Sequence, residues 1–171
     1  MSTLKVNTLQ DVSGNVQPFG IKEFDIWYLT SNNSSNGDIT SNLSRYTSAG
    51  GASPLGTGMS ESSGIFSFPS TGKYLVICNP MFELNGYDNA NVQTAVTTNN
   101  SSYTEHCIAL DGNNGSGSRA GSGTSFAFVD VTDTSNVKVK FILGSLGSGS
   151  YMSGGSSVMY SNFVFVRIGD T

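Results

Sequence analysis

The chain has 171 residues, a length typical of one domain, and such a domain buries roughly 70% of the surface that its unfolded form exposes. Charged residues make up only 12% of it, and the net charge is −4. The eight Lys and Arg side chains are spread along the sequence, whereas nucleic acid binding depends on clustered positive charge, so DNA and RNA partners are excluded. No apolar run approaches the about 20 residues that cross a bilayer, so no membrane partner is expected.

The first 20 residues differ in pattern from the rest. Leu4, Val6 and Leu9 form a short extended segment, and residues 11–15 have the composition of a turn. We therefore expect residues 1–20 to form an N-terminal arm and residues 21–171 to form a folded head. The alternative is a terminus that frays without a role. This segment also lacks the apolar stretch and cleavage site of a secretory signal, which favours assembly in a cytoplasm.

The first firm strand is predicted over Glu23–Leu29, where Phe24, Ile26 and Tyr28 alternate with the side chains between them. The following stretch, residues 30–63, is rich in Ser, Asn, Gly and Thr. A loop of that length without structure is unusual inside a compact domain, so we expect one or two short edge strands within it.

The stretch from Gly64 to Cys78 predicts two strands around a tight Pro-Ser-Thr-Gly corner, because Pro fixes φ at the entry and Gly permits a positive φ at the exit. Asn85-Gly86 then predicts a hairpin that pairs Met81–Glu83 with Val92–Val96. A further strand is expected over residues 103–110. Residues 111–123 are rich in Gly, Ser and Asn and predict an exposed, mobile loop.

The last part of the chain predicts a meander of three strands, over Ser125–Val131, Val137–Leu143 and Val158–Ile168. The final strand is distinctive because Phe163–Val166 places large apolar side chains on both faces of a sheet. No segment has the sustained helical period that would supply a covering helix. We therefore expect another copy of the chain to cover one face, and the alternative is a central strand buried within a monomer.

The sequence has few residues that could form a catalytic or metal-binding site. Cys78 and Cys107 predict reduced thiols rather than a disulfide in a cytoplasmic protein. Glu105-His106-Cys107 is a poor catalytic group, because neighbours on a strand point to opposite faces. Residues 111–115 resemble the start of a calcium loop but lack its bidentate Glu, so a solvated turn is preferred. We expect no enzyme activity, no catalytic residue, no metal and no cofactor.

Two motifs resemble C1q/TNF-like jelly rolls. The run from Gly64 to Tyr74 resembles the family signature G-x-F-x-x-P-x-x-G-x-Y, whose matching residues here are Phe66, Pro69, Gly72 and Tyr74. Residues 160–166 resemble the family's last strand, F-S-G-F-L-L, although Asn162 stands where the family usually has Gly.

The resemblance implies an all-β, ten-stranded jelly-roll sandwich over residues 21–171 that assembles as a compact homotrimer. The last strand would lie near the three-fold contact. The implied trimer-interface residues are Tyr160, Phe163, Val164, Phe165 and Val166.

The N-terminal segment carries a second resemblance. Residues 2–10 resemble the opening of many phage and marine-virus fibre or structural proteins, of the cyanophage-like kind. This implies a bacteriophage virion component, assembled in the host bacterial cytoplasm, whose partners are itself and phage capsid or tail proteins. Leu4, Val6 and Leu9 would attach the arm to the particle.

Three functions stay open at this point. The first is a capsid decoration or cement trimer, favoured by the shortness of the chain. The second is the receptor-binding tip of a tail fibre, whose loops over residues 111–123 and 144–155 would contact a glycan or protein of the host surface. The third is a secreted cytokine-like ligand, disfavoured by the missing signal sequence.

Overall fold

The computed structural model describes residues 20–47 and 53–171, which form β-strands joined by turns and loops. Within these ranges no helix is long and apolar enough to cross a bilayer. The predicted all-β fold is confirmed, with more strands than ten because five have only two or three residues. The strands are β1 Glu23–Leu29, β2 Gly37–Asp38, β3 Leu43–Arg45, β4 Ser60–Ser62, β5 Ile65–Ser67, β6 Gly72–Asn79, β7 Met81–Asn85, β8 Asp88–Thr97, β9 Thr104–Asn113, β10 Ser118–Ser122, β11 Ser125–Val131, β12 Lys138–Gly144, β13 Tyr151–Met152 and β14 Asn162–Gly169.

Two large antiparallel sheets face each other, and a smaller sheet extends one end of the sandwich. The five-stranded sheet has the order β11-β6-β14-β1-β3. The six-stranded sheet has the order β4-β5-β12-β8-β9, with β2 also paired to β12. The three-stranded sheet has the order β10-β7-β13. The corner between β5 and β6 is where the sequence predicts it.

Three connections differ from the sequence predictions. The hairpin across Asn85-Gly86 is wrong, because β7 pairs with β10 and β13 while β8 pairs with β9 and β12. The meander is wrong, since β11 pairs with β6 and β12 pairs with β8. The mobile loop over residues 111–123 is also wrong, because β9 continues to Asn113 and β10 follows. For β7 and β11, a strand distant in sequence satisfies the backbone hydrogen bonds in place of the predicted partner, and β10 pairs with the distant β7.

The core between the sheets is built around aromatic rings of the closing strand. Phe163 stacks on Phe141 with ring centroids 4.0 Å apart, and Phe165 lies 5.1 Å from Phe66. All four side chains are fully buried. Phe163 and Phe165 are two residues apart on β14, so both point to the same side, which is the core. Since both are buried inside one chain, neither can contact a second copy. The prediction that both belong to a trimer interface is therefore corrected.

The signature corner between β5 and β6 is locked by its own side chains. The buried Tyr74 hydroxyl donates to the Ser70 carbonyl at 3.1 Å, and its ring lies 4.7 Å from that of Phe68. Gly72 has a φ of +143°, and a Cβ there would approach the Gly169 carbonyl oxygen to 2.7 Å. The corner therefore requires Gly at this position, for both its backbone conformation and its close packing.

One carboxylate, that of Asp25, is buried and accepts bonds from four directions. Its oxygens lie 3.1 Å from Arg45 Nε, 2.9 Å from Trp27 Nε1 and 2.9 Å from Ser53 Oγ. The Met59 backbone N–H donates to it at 2.7 Å. These bonds join β1, β3 and the segment leading to β4, and the Arg45 guanidinium also lies 5.0 Å above the Trp27 ring.

We predict that Asp25→Ala destabilises the fold by about 3–5 kcal/mol, because it leaves a guanidinium and several N–H and O–H donors without their acceptor. Denaturant unfolding at fixed protein concentration measures the change. Asp170→Ala is the matched control, since that exposed carboxylate pairs with Arg167 at the surface and its loss should have little effect. Equal stability of the two variants would contradict this account of the network.

Candidate functional site: an apolar sheet face and a distal pocket

The face of the five-stranded sheet that points away from the core is apolar. Two rows of side chains run across β11, β6, β14 and β1 in register. The first row is Phe126, Ile77, Val164 and Ile26, and the second is Phe128, Leu75, Val166 and Phe24. We call these eight residues the apolar face. Phe126 and Phe128 remain 61% and 62% exposed, so nothing within the described chain covers this edge.

Polar pairs bound the apolar face at both ends. Asn79 Nδ2 donates to Asn162 Oδ1 at 2.9 Å at one end, and Lys73 Nζ lies 3.4 Å from Asp130 Oδ2 at the other. Asn162, which departs from the family pattern, therefore has a side-chain role in this boundary. The apolar area ends where hydrogen-bonding groups begin, as it does at the rim of a protein interface.

The outer face of the six-stranded sheet is more polar on its strands β12 and β8. Lys138 and Lys140 of β12 point outward there, and Lys140 Nζ lies 2.8 Å from Asp38 Oδ2. Gln93 of β8 occupies the neighbouring position beside Ile142, which is the apolar exception on β12. A sandwich normally places polar side chains on both outer faces. The apolar face departs from this arrangement across four neighbouring strands, whereas on the other sheet the outward apolar side chains lie mainly on the edge strand β9.

The apolar surface continues around the edge of the sandwich. β11 is the edge strand of its sheet, and β9 is the neighbouring edge of the other sheet. On β9, Ile108 and Leu110 are 45% and 61% exposed. A chain thus presents an apolar face and an adjoining apolar edge, which are different surfaces of the same molecule.

Of the predicted interface residues, Val164 and Val166 lie on the apolar face, whereas Phe163 and Phe165 lie in the core. Tyr160 lies before β14 and lines a pocket elsewhere. The predicted attachment residues Leu4, Val6 and Leu9 fall outside the described residues, so the arm and its boundary at residue 20 stay predictions.

The two ends of the head are distinct. Glu23, at the start of β1, pairs with Arg167 near the end of β14, so the chain enters and leaves the sandwich at one end. Tyr28 pairs with Asn162 at the other end, where the three-stranded sheet and the turn at Gly86 also lie. We call this second end the distal end, because residues 1–19 precede the first.

A pocket of about 370 Å³ opens at the distal end, which we call the distal pocket. Its floor is β7 and β13, where Tyr151 lies directly opposite Glu83. Its wall is held by backbone bonds: Ser153 N–H donates to the Met81 carbonyl at 2.7 Å, and Gly154 N–H donates to Asn32 Oδ1 at 3.0 Å. The lining residues are Asn32, Met81, Glu83, Tyr151, Ser153, Gly154 and Tyr160.

A second cavity, of about 430 Å³, lies beside the apolar face. Tyr28, Arg45 and Tyr46 line it, with residues 156–159. The rings of Tyr28 and Tyr46 meet edge to face with centroids 6.2 Å apart. Since Tyr28 projects on the same side of β1 as Ile26, a copy that covers the apolar face would lie against this cavity.

The distal loop between β12 and β13 is held by hydrogen bonds to Asn36 and Asp88. Leu146 exchanges two hydrogen bonds with the Asn36 side chain, each 3.0 Å long. Ser150 Oγ and Gly147 N–H donate to Asp88. Burial raises the pKa of Asp88, but these bonds and that from Asn89 N–H outweigh it, so the pKa lies below its ordinary value of 3.8.

The Glu105-His106-Cys107 group is not assembled as a catalytic site. The pairing of β8 with β9 shifts at this point, since Thr94 pairs with Cys107 and Ala95 with Glu105. His106 is left without a cross-strand partner, and it is exposed with Glu105 while Cys107 packs against the core. This differs from strict alternation, because the extra residue of a bulge changes the direction of the side chains.

The cysteines are free thiols. Burial raises the pKa of the Cys78 thiol well above its ordinary value, with a further rise from Cys107, so Cys78 stays protonated and unreactive at neutral pH. Among the residues that the structure describes, no three His, Cys, Asp or Glu side chains are grouped as metal ligands. In residues 111–115, Asn113 instead bonds the turn itself, donating to the Gly117 carbonyl at 2.6 Å and accepting from Gly115 N–H.

The fold is similar to that of solved TNF proteins. Murine APRIL at pH 5.0 matches with a TM-score of 0.64 and 10% identity, over 85% of this chain and 98% of that chain. Eiger TNF from S. frugiperda matches with a TM-score of 0.60 and 15% identity, over 87% and 95%. No family model matches the chain, and no curated protein matches it in sequence. The head is thus a TNF-like jelly roll, as the sequence predicts, and these identities speak for the fold alone.

The bonds to Asp88 predict an acid-dependent loop. Because the folded-state pKa is lowered, the stabilisation is present above pH 3.8 and is lost as the pH falls through that lowered value. The amide signal of Gly147, followed by NMR across the acid range, should titrate with a midpoint below 3.8. Ser150→Ala should raise that midpoint, whereas Ser148→Ala should leave it unchanged. An unchanged midpoint in Ser150→Ala would show that the bond does not hold the carboxylate ionised.

Proposed function

We propose that this chain is a non-enzymatic structural protein of a bacteriophage virion. Its jelly-roll head forms a homotrimer through the apolar face, and its N-terminal arm attaches the trimer to the particle. The observation that carries the proposal is the apolar face, which extends across four strands on the side of the sheet away from the core.

The arrangement of apolar surface supports a ring rather than a two-fold pair. The apolar edge formed by Ile108 and Leu110 of β9 differs from the centre of the apolar face, formed by Ile26 and Val164. Packing the edge of one copy on the face of the next is a heterologous contact, and such contacts end only when the ring closes. Closure with three copies is the assembly implied by the C1q/TNF-like resemblance.

The free energy of covering the face depends on the apolar area that the contact hides. Hiding about 1,000 Å² of apolar surface per subunit gives a gross gain of roughly 25 kcal/mol at about 25 cal/mol per Å². Most isolated domains are stable by only about 5–15 kcal/mol, so folding and assembly would be coupled.

The phage assignment is supported by residues 2–10, which resemble the opening of phage and marine-virus structural proteins. The geometry of the head agrees with an arm that points toward a particle, since residue 20 lies at the end opposite the distal pocket. We favour a capsid decoration or cement role, with capsid proteins as partners.

A second candidate function is the receptor-binding tip of a tail fibre. The distal pocket favours it, because a trimer anchored by its arms would present three such pockets away from the particle. Tail proteins would then be the phage partners, and a glycan or protein of the host surface would be the target. The number of copies in purified virions separates the two roles.

Changing the centre of the apolar face should break the trimer without replacing any side chain of the core. Ile77→Glu buries a carboxylate at the proposed contact, which is costly without a partner. Sedimentation velocity should give three times the chain mass of 17.9 kDa for the wild type and the single-chain mass, or aggregates, for the variant. Ile142→Glu, the same change on the outer face of the other sheet, should remain trimeric. A trimeric Ile77→Glu would locate the contact elsewhere.

Removing the arm should separate attachment from assembly. A chain lacking residues 1–20 should remain trimeric and fail to bind purified particles that lack this protein. A full-length chain with Leu4, Val6 and Leu9 changed to Ser should behave in the same way if these side chains make the contact. Retained binding of the truncated trimer would refute the attachment role of the arm.

A further inference from the structure

We propose that the distal pocket binds a neutral hexopyranose unit of a saccharide, through its two tyrosines and Glu83. The inference rests on the proposed function insofar as the arm anchors the opposite end of the head. It goes further by naming a site and a ligand class. The volume of about 370 Å³ is near the lower end of the range of small-ligand sites, about 300–1,000 Å³.

The first argument is the pairing of aromatic and polar groups. A pyranose ring has an apolar C–H face and a rim of hydroxyls. Tyr151 and Tyr160 offer aromatic surface with a polar tip, and Tyr160 is 45% exposed before any ligand binds. Glu83, Asn32 and Ser153 provide oxygen and nitrogen atoms around the same opening.

The second argument is that the polar groups of the pocket are free to bind a ligand. Within residues 20–47 and 53–171, the Glu83 carboxylate and the hydroxyls of Tyr151 and Tyr160 have no hydrogen-bond partner and no ion pair. Other polar side chains at this end are used for structure: Asp88 accepts from Gly147, and Asn36 holds Leu146. The side chains of Glu83, Tyr151 and Tyr160 therefore line the pocket without an internal hydrogen bond that a ligand would have to replace.

The third argument concerns rigidity. Glu83 and Tyr151 lie on paired strands, and Ser153 and Gly154 are fixed by backbone hydrogen bonds to Met81 and Asn32. Ser161, next to Tyr160, also accepts from the Met81 N–H at 2.9 Å. The backbone that carries the lining side chains is therefore held in place before binding and loses little conformational freedom when a ligand arrives.

Charge narrows the ligand class. Among the described residues that line the pocket, Glu83 is the one that carries a charge, and the chain has a net charge of −4. A uronic or sialic acid would place a second carboxylate beside Glu83 without a compensating cation. A carboxylate accepts well from vicinal hydroxyls, and bonds to charged groups contribute about 1.5–3 kcal/mol each. The pocket therefore selects neutral over anionic sugars.

The test uses saturation-transfer NMR on the full-length chain with the methyl α-glycosides of glucose, galactose and mannose. Glucuronic acid is the anionic probe. At least one neutral glycoside should receive saturation and glucuronic acid should not. Tyr160→Ala and Glu83→Gln should each weaken binding by about tenfold or more, the loss expected for one charged hydrogen bond or an aromatic contact.

Tyr87→Ala is the matched control, because Tyr87 is 80% exposed at the same end and does not line the pocket. Binding should survive this change. The inference is overturned if no neutral glycoside binds, if glucuronic acid binds equally well, or if Tyr87→Ala weakens binding as much as Tyr160→Ala. Sedimentation of the same samples keeps the two proposals apart, since a trimer that binds no glycoside contradicts only the pocket.

Discussion

The structure depends on one constraint: the five-stranded sheet is apolar on both of its sides. Along β14, Phe163 and Phe165 enter the core while Val164 and Val166 point away from it, because side chains alternate along a strand. The inner side is covered by the six-stranded sheet. The outer side has no cover within the described chain, and water is a poor neighbour for two rows of aliphatic and aromatic side chains.

This constraint links the fold to the proposed biology. In the proposed trimer, covering the apolar face with other copies would fix all heads in one orientation, with the chain entering at one end and the distal pocket at the other. Three pockets facing the same way would act together on a repetitive surface, so a modest affinity of each site for one sugar unit gives a much stronger attachment. The same geometry would suit a decoration protein, because its distal end would contact any surface that the particle encounters.

Much of the fold follows from local sequence pattern. Alternation predicts β1 and β11 with the bounds that the structure shows, and the Pro69 to Gly72 corner is recognisable because Pro and Gly impose specific backbone angles. Pairing is a different matter. The partners of β7 and β11 lie far away in sequence. The five residues of β7 carry no pattern that identifies which distant strand will pair with it.

The sites are less predictable for the same reason. The alternating pattern of β1 predicts that Asp25 faces water, but its carboxylate is buried. Arg45 and the Met59 backbone N–H donate to it there. Both donors come from segments that the sequence does not place nearby. The distal pocket combines Glu83 with Tyr151 of β13. Because β13 has only two residues, it shows no alternation of side chains from which the sequence could predict it. Tyr160 lies inside the last strand that the sequence predicts, Val158–Ile168, but β14 begins only at Asn162 and leaves Tyr160 in the segment before it.

The measurement that bears most directly on the central claim is native mass spectrometry of the wild-type chain on dilution to nanomolar concentration. Coverage of the apolar face by neighbouring copies predicts that the three-chain mass persists, and that any chain released from it unfolds. A single chain that stays folded at that concentration, with Leu75, Ile77 and Val164 in contact with water, would contradict the account.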